Sequence, residues 1–189
     1  DLDAVGSAIG VLRICKMCGV PSVIAVRRGA TLAGQLIELF DQAGEGDNFI
    51  EPEETIELIT PQTLLIVVDT YQKRLLESQK IYEKCQRVVV IDHHRMAVGH
   101  IDNPILLYHE PYASSASELV CELLQFMPGE GNITPLEAQA LLAGIMLVQR
   151  QSFALTRKEL KTLATLGLLF AVSSLTFYTS FHYMDAGIA

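Results

Sequence analysis

Arg87-Val88-Val89-Val90-Ile91-Asp92-His93-His94-Arg95 is the stretch that decides the fold. Val88, Val89, Val90 and Ile91 are β-formers that run without a break into an acid and two imidazoles. A short apolar run bounded by polar residues has the pattern of a strand buried on both faces of a parallel sheet. Groups at the carboxyl end of such a strand project into the crevice where open α/β sheets bind ligands. A single buried strand therefore delivers Asp92, His93 and His94 to one place, and these are residue types that hold divalent metals and move protons.

Working outward, residues 63–68 form a second apolar run that also ends in an acid, Asp69, followed by Thr70. Residues 21–26 and 105–108 are further strand candidates. Asp1-Leu2-Asp3-Ala4-Val5-Gly6-Ser7 reads as a loop and helix start, with acids where a helix amino terminus favours negative charge. The helix continues over 8–18 and Gly19 ends it. Helices are predicted over 31–40, 72–86 and 118–126. Another spans 135–147, opened by the capping-box sequence Thr134-Pro135-Leu136-Glu137. The acidic segment 41–54, with Gly44, Gly46 and Pro52, reads mostly as surface loop, and 128–132 as a linker. Strands alternating with helices predict an α/β fold, a parallel β-sheet flanked by helices with right-handed crossovers.

The 189 residues suffice for one domain or one domain plus a fragment, and 50% hydrophobic content supports a sizeable core. With 22 acids against 14 bases, the formal charge of −8 argues against a long nucleic-acid partner. A small phosphate ester held through cations stays compatible, because the ions reverse the local sign. Cys15, Cys18, Cys85 and Cys121 lie among apolar residues and read as buried free thiols of a reducing compartment. Cys15 and Cys18 have the separation of a zinc half-site, but no second pair matches them. The chain opens on Asp1 without an initiator Met or a signal peptide, the pattern of a truncated start. Residues 162–181 carry no charge and are long enough for a membrane span, yet include seven Ser or Thr and lack a strong basic flank beyond. A buried helix is the preferred reading there.

Asp1 and Asp3 before a helix, Asp69 after one strand, and Asp92, His93 and His94 after another converge on one edge of a parallel sheet. Carboxylates with one or two imidazoles suit Mn²⁺ or Mg²⁺. Two such ions can bind a phosphodiester, activate water and stabilise the leaving oxygen, with a central carboxylate such as Asp69 as the bridge. For a lone Asp, a helix cap or solvated loop end is the simpler account. Adjacent histidines directly after a buried valine run resist it.

Three segments, Asp1-Leu2-Asp3-Ala4-Val5-Gly6-Ser7-Ala8-Ile9-Gly10, Val67-Val68-Asp69-Thr70 and Val90-Ile91-Asp92-His93-His94-Arg95, resemble the first three motifs of the DHH phosphoesterase family. The segment from Glu110 to Val120 resembles a further segment of the family, and the combination is most similar to bacterial cyclic-di-AMP phosphodiesterases. The likeness covers residues 1–147, with 148–189 as an atypical uncharged tail. It implies hydrolysis of cyclic-di-AMP to pApA with two Mn²⁺ ions, Mg²⁺ being an alternative. Carried over, Asp1 would bind one metal, Asp3 and His93 the second, and Asp69 would bridge. Asp92 would orient the imidazoles, and His94 would contact the phosphate or assist proton transfer. Ser114, Ser115 and Ser117 would either shape the phosphate pocket or cap a helix. The parent would work at the cytoplasmic face of the bacterial membrane, the present chain in the cytoplasm, with a homodimer as a compatible assembly.

Four departures stand out. The family's metal-binding His before the first Asp would precede Asp1. Val148 stands where the family places a metal-binding Asp, and an isopropyl group cannot ligate. Tyr71 replaces a His that often follows the Asp-Thr pair, and the family's carboxyl-terminal nucleotide-recognition domain is not in the sequence. A disrupted reading frame would account for the loss of similarity after Leu147. These departures predict impaired turnover. The alternatives are a related phosphoesterase acting on short oligonucleotides, DNA ends or pAp, and a degenerate domain that binds a nucleotide or a partner without hydrolysis.

Overall fold

The computed structural model describes residues 1–95, 98–127 and 132–148. The expected tail, with its apolar segment 162–181, and most of the linker at 128–132 lie outside the described residues. Among those described, no helix is long and apolar enough to cross a membrane.

The strand predicted from the valine run is β4 (Arg87–Asp92), buried from Val88 through Asp92. It is the central strand of a three-stranded parallel sheet, between β3 (Leu64–Val68) and β5 (Leu106–His109). Alternation sends Val88 and Val90 to one apolar cluster with Val67, Tyr71 and Ile101. Val89 and Ile91 go to the other face, against Leu119, Val120, Leu124 and Leu141. Both faces are covered, which is why no polar residue interrupts the run. A second parallel pair, β1 (Ile24–Ala25) with β2 (Phe49–Ile50), forms a separate two-stranded sheet.

Helix α1 (Leu2–Met17) begins earlier than the sequence suggested, because the Asp1 carboxylate is its N-cap and accepts from the amides of Asp3 and Ala4, each at 3.0 Å. Gly19, at φ +67°, closes it. Its Val5, Ile9 and Leu12 pack into the cluster that includes Leu36, Ile37 and Phe40 of α2 (Gly34–Gln42), while Val11 and Ile14 pack against the β4 side. It is thus apolar nearly all round, as a central helix must be. Two further helices lie against it, α5 (Ala116–Leu124) and α6 (Pro135–Val148). A methyl group on Gly6 would sit 2.5 Å from the Ala140 carbonyl oxygen, and one on Gly10 would sit 2.5 Å from Val120. The glycines are what let the three helices approach so closely. The capping box at α6 forms as expected: Thr134 N–H donates to Glu137 Oε2 at 2.7 Å and Glu137 N–H to Thr134 Oγ1 at 3.2 Å.

Two segments differ from expectation. The acidic stretch 41–54 is not mainly loop, since it contains β2 and the start of α3 (Pro52–Leu58). Phe49 is 4% exposed and meets Phe40 edge to face at 5.5 Å, while Pro52 and two acids in the first turn are a good helix opening. Residues 72–86 form a short 3-10 turn, Lys73–Leu75, and then α4 (Gln79–Lys84), because extended Ser78 caps Ile81 and starts the helix late. All four cysteines are free, but Cys18 is exposed at the carboxyl cap of α1 and the others are only partly buried.

Gly6→Ala should lower the unfolding free energy by up to about 2 kcal/mol, because overpacking against a backbone carbonyl costs ~1–3 kcal/mol and Ala regains only ~1 kcal/mol as a helix former. Gly34→Ala, with open space around it, should be neutral or stabilising. Denaturant titration of both variants measures the contrast.

Candidate metal centre

Asp3 is fully buried in the first turn of α1. Its Oδ2 accepts from the Ala116 amide at 2.9 Å and its Oδ1 from the Ser117 amide at 2.8 Å, both at the amino end of α5. The next amide, of Glu118, donates to Ser115 Oγ at 3.0 Å, so the first turn of α5 is fully satisfied. Asp3 is therefore the anion at that helix terminus, a favourable place for a buried carboxylate. Each oxygen keeps a lone pair for the crevice, and Oδ2 lies 3.6 Å from His93 Nε2.

Asp69 follows β3 directly and has φ +59°, a left-handed conformation that Asp tolerates better than most residues. Its amide is anchored on the Ile91 carbonyl at 2.9 Å, which fixes the carboxylate next to the end of β4. Asp69 Oδ1 is buried without a hydrogen-bond partner, 3.5 Å from His93 Nε2 and 3.7 Å from His94 Nδ1. Burial, then the charge of nearby Asp3 and a hydrogen bond with it, push the Asp69 carboxyl up to about 8.

The two imidazoles are held differently. His93 Nδ1 lies 3.3 Å from the Ala113 carbonyl, which as a pure acceptor calls for a proton there and turns a bare Nε2 toward Asp3 and Asp69. His94 Nδ1 is 2.8 Å from Asp92 Oδ1, and its backbone N–H reaches the same oxygen at 3.3 Å. Asp92, fully buried at the end of β4, thus orients His94 and not His93. The His94 side chain is half exposed.

Ligand atoms of Asp69, His93 and His94 lie within 4.8 Å of one another. The buried orphan oxygens of Asp69 and Asp92 are costly unless a proton or a cation meets them. Carboxylate and imidazole donors at this spacing fit a divalent cation.

Of the other predicted residues, Asp1 sits at the same end of α1 with Oδ1 engaged in its cap. Ser115 and Ser117 are fully buried: Ser115 caps α5, and Ser117 Oγ donates to the Asp3 carbonyl at 3.4 Å. Ser114 donates to Glu118 Oε2 from its amide at 2.7 Å and its hydroxyl at 2.5 Å, which holds the Glu118 carboxyl below its ordinary range. Ser115 thus caps α5, while Ser114 is tied to Glu118 and Ser117 to the Asp3 backbone. Sequence reasoning missed Glu118, although Ser115 to Glu118 is a capping-box spacing, and it missed His109, although the strand-end logic used for Asp92 applies equally to β5.

A parallel α/β domain whose strand ends gather acids and paired histidines in this order defines a known class. The chain belongs to the DHH family, and the description of that family's N-terminal domain matches residues 1–145. It is 45% identical over 158 residues to the cyclic-di-AMP phosphodiesterase GdpP of Geobacillus thermodenitrificans, covering 82% of this chain and 24% of that protein. Identity to GdpP of Bacillus subtilis is 39%, and to the cyclic-di-AMP phosphodiesterase PdeA of Listeria monocytogenes 35%, with the same coverage. The chain therefore spans about a quarter of these relatives, 24% of each. Among solved structures, an exopolyphosphatase-related protein from Bacteroides fragilis shares the fold at a TM-score of 0.60 and 18% identity, over 87% of this chain and 48% of that one.

Metal-free protein should lose stability as pH rises from 5 to 8. The folded state keeps the Asp69 proton up to about 8, whereas the unfolded chain releases it near 3.8. That contribution is full below 3.8, declines through the interval and is gone above 8. Urea titrations in chelator should give a smaller pH slope for Asp69→Asn. Added Mn²⁺ should stabilise the wild type more at pH 8 than at pH 5, since a ligating carboxylate must be ionised.

Proposed function

We propose that the chain carries the catalytic-site domain of a divalent-metal phosphodiesterase that hydrolyses cyclic-di-AMP to the linear dinucleotide pApA. The observation that carries this is the partnerless Asp69 Oδ1 between His93 and His94 in a domain of this family. The names of the bacterial relatives support the substrate. A pair of Mn²⁺ ions, or Mg²⁺ in their place, would supply an activated water and neutralise phosphate charge.

Asp1 would hold one ion, Asp3 and His93 the other, and Asp69 would serve both. Asp92 keeps the proton on His94 Nδ1, so Nε2 is the nitrogen free to accept a proton and, once it has one, to donate to a phosphate oxygen. Ser114, Ser115 and Ser117 shape the pocket from behind, through Asp3 and Glu118. We take 1–147 as the domain and 148–189 as a separate tail. In a longer parent the domain would stand at the cytoplasmic face of the bacterial membrane, with self-association into a homodimer as a further element of the proposal.

Val148 in place of a carboxylate predicts a weakened site, since even loss of a supporting residue commonly costs 10–100-fold in affinity or activity. Full-length chain, incubated with Mn²⁺ and desalted, should retain metal that Asp69→Ala loses, yet cleave cyclic-di-AMP slowly or not at all. Normal turnover would refute the impairment. Faster cleavage of short oligoribonucleotides or pAp would move the substrate class, and complete absence of bound metal would favour a degenerate binding domain.

A further inference from the structure

Beyond Asp92 the β4–β5 ladder ends with Glu110 N–H donating to the Asp92 carbonyl at 3.1 Å. The next carbonyls of the chain need other donors. Two of them, on His94 and Arg95, are taken by side chains from two other elements. His109 Nε2 lies 2.5 Å from the His94 carbonyl, and Tyr71 Oη donates to the Arg95 carbonyl at 2.5 Å. His109 ends β5 and is the register partner of Asp92. Tyr71 is 3% exposed, and its backbone carbonyl is fixed by the Ile101 amide at 2.8 Å. The two rings meet edge to face, with centroids 5.9 Å apart.

We infer that Tyr71 and His109 form a clamp that sets the His94 imidazole by holding the two peptide groups behind it. Asp92 grips His94 by its amide and ring nitrogen, and the clamp grips the following carbonyls. The turn is thus held on both sides of the His94 Cα. Without the clamp, the half-exposed His94 ring would be tethered by Asp92 alone and would sample several rotamers. Because a carbonyl is purely an acceptor, His109 must carry its proton on Nε2. Tyr71 and His109 are positioning residues: neither carries a metal ligand or touches the reacting atoms, and their effect passes through His94.

The test rests on the proposed metal site in only one of its two arms. In the first arm, imidazole ¹H–¹⁵N spectra of metal-free chain should give one His94 tautomer with the proton on Nδ1. Tyr71→Phe and His109→Leu should split or broaden that signal, and His109→Gln, whose amide can donate to the same carbonyl, should restore it. In the second arm, the affinity of Mn²⁺-loaded chain for pApA by calorimetry, which reads the proposed His94–phosphate contact, should fall about 10-fold in the Phe and Leu variants and recover in the Gln variant. Unchanged His94 signals in both variants, or equal behaviour of His109→Leu and His109→Gln, would overturn the clamp even if the melting temperature falls. Should the wild type bind Mn²⁺ no better than Asp69→Asn, the metal site fails, and the spectra still decide the clamp.

Discussion

The buried Asp3 carboxylate at the head of α5 is the interaction on which the rest depends. It joins the amino end of α1 to that of α5 across more than a hundred residues of sequence, with both oxygens hydrogen-bonded to amides. A carboxylate stripped of water would be costly, but two amide donors and a helix terminus offset that cost. The same group then presents its outer lone pairs toward His93. Structural and chemical roles share one side chain, so the site cannot assemble unless α1 and α5 are docked.

Docking in turn depends on backbone close approach. Gly6 and Gly10 bring α1 against α6 and α5, and Gly144 of α6 lies where a methyl group would strike Ser117 Oγ at 2.2 Å. The glycines near the acids are thus part of the site's construction, although none of them touches a ligand. Charge follows the same economy. Asp3, Asp69 and Asp92 crowd one crevice, and burial together with the neighbouring carboxylates raises the Asp69 carboxyl well above its ordinary range.

Much of this was legible in the sequence where one physical pattern dominated locally. A short run of β-branched residues bounded by polar ones fits a strand covered on both faces, so β4 and the position of Asp92, His93 and His94 followed directly. The capping box of α6 was equally plain. Legibility failed where the deciding contact was distant in sequence. Phe49 is a strand residue because Phe40 and Ile24 await it, and the acids around it hid that. Ser78 interrupts an otherwise helical charge pattern over 72–86 with one hydroxyl. The division of labour between the histidines depends on Ala113 and Asp92, which sit on different elements, and adjacency in sequence suggested no difference between them.

The left-handed backbone at Asp69 has a further consequence for how a cation would arrive. With its amide tied to Ile91 and its dihedral confined, the carboxylate is aimed before any ion is present. Little chain entropy is left for binding to remove, so affinity is not spent on ordering a loop. For a cation at such a preset carboxylate, the slow step would be the ion shedding its own water, and fast-exchanging cations would load ahead of slow ones of equal affinity.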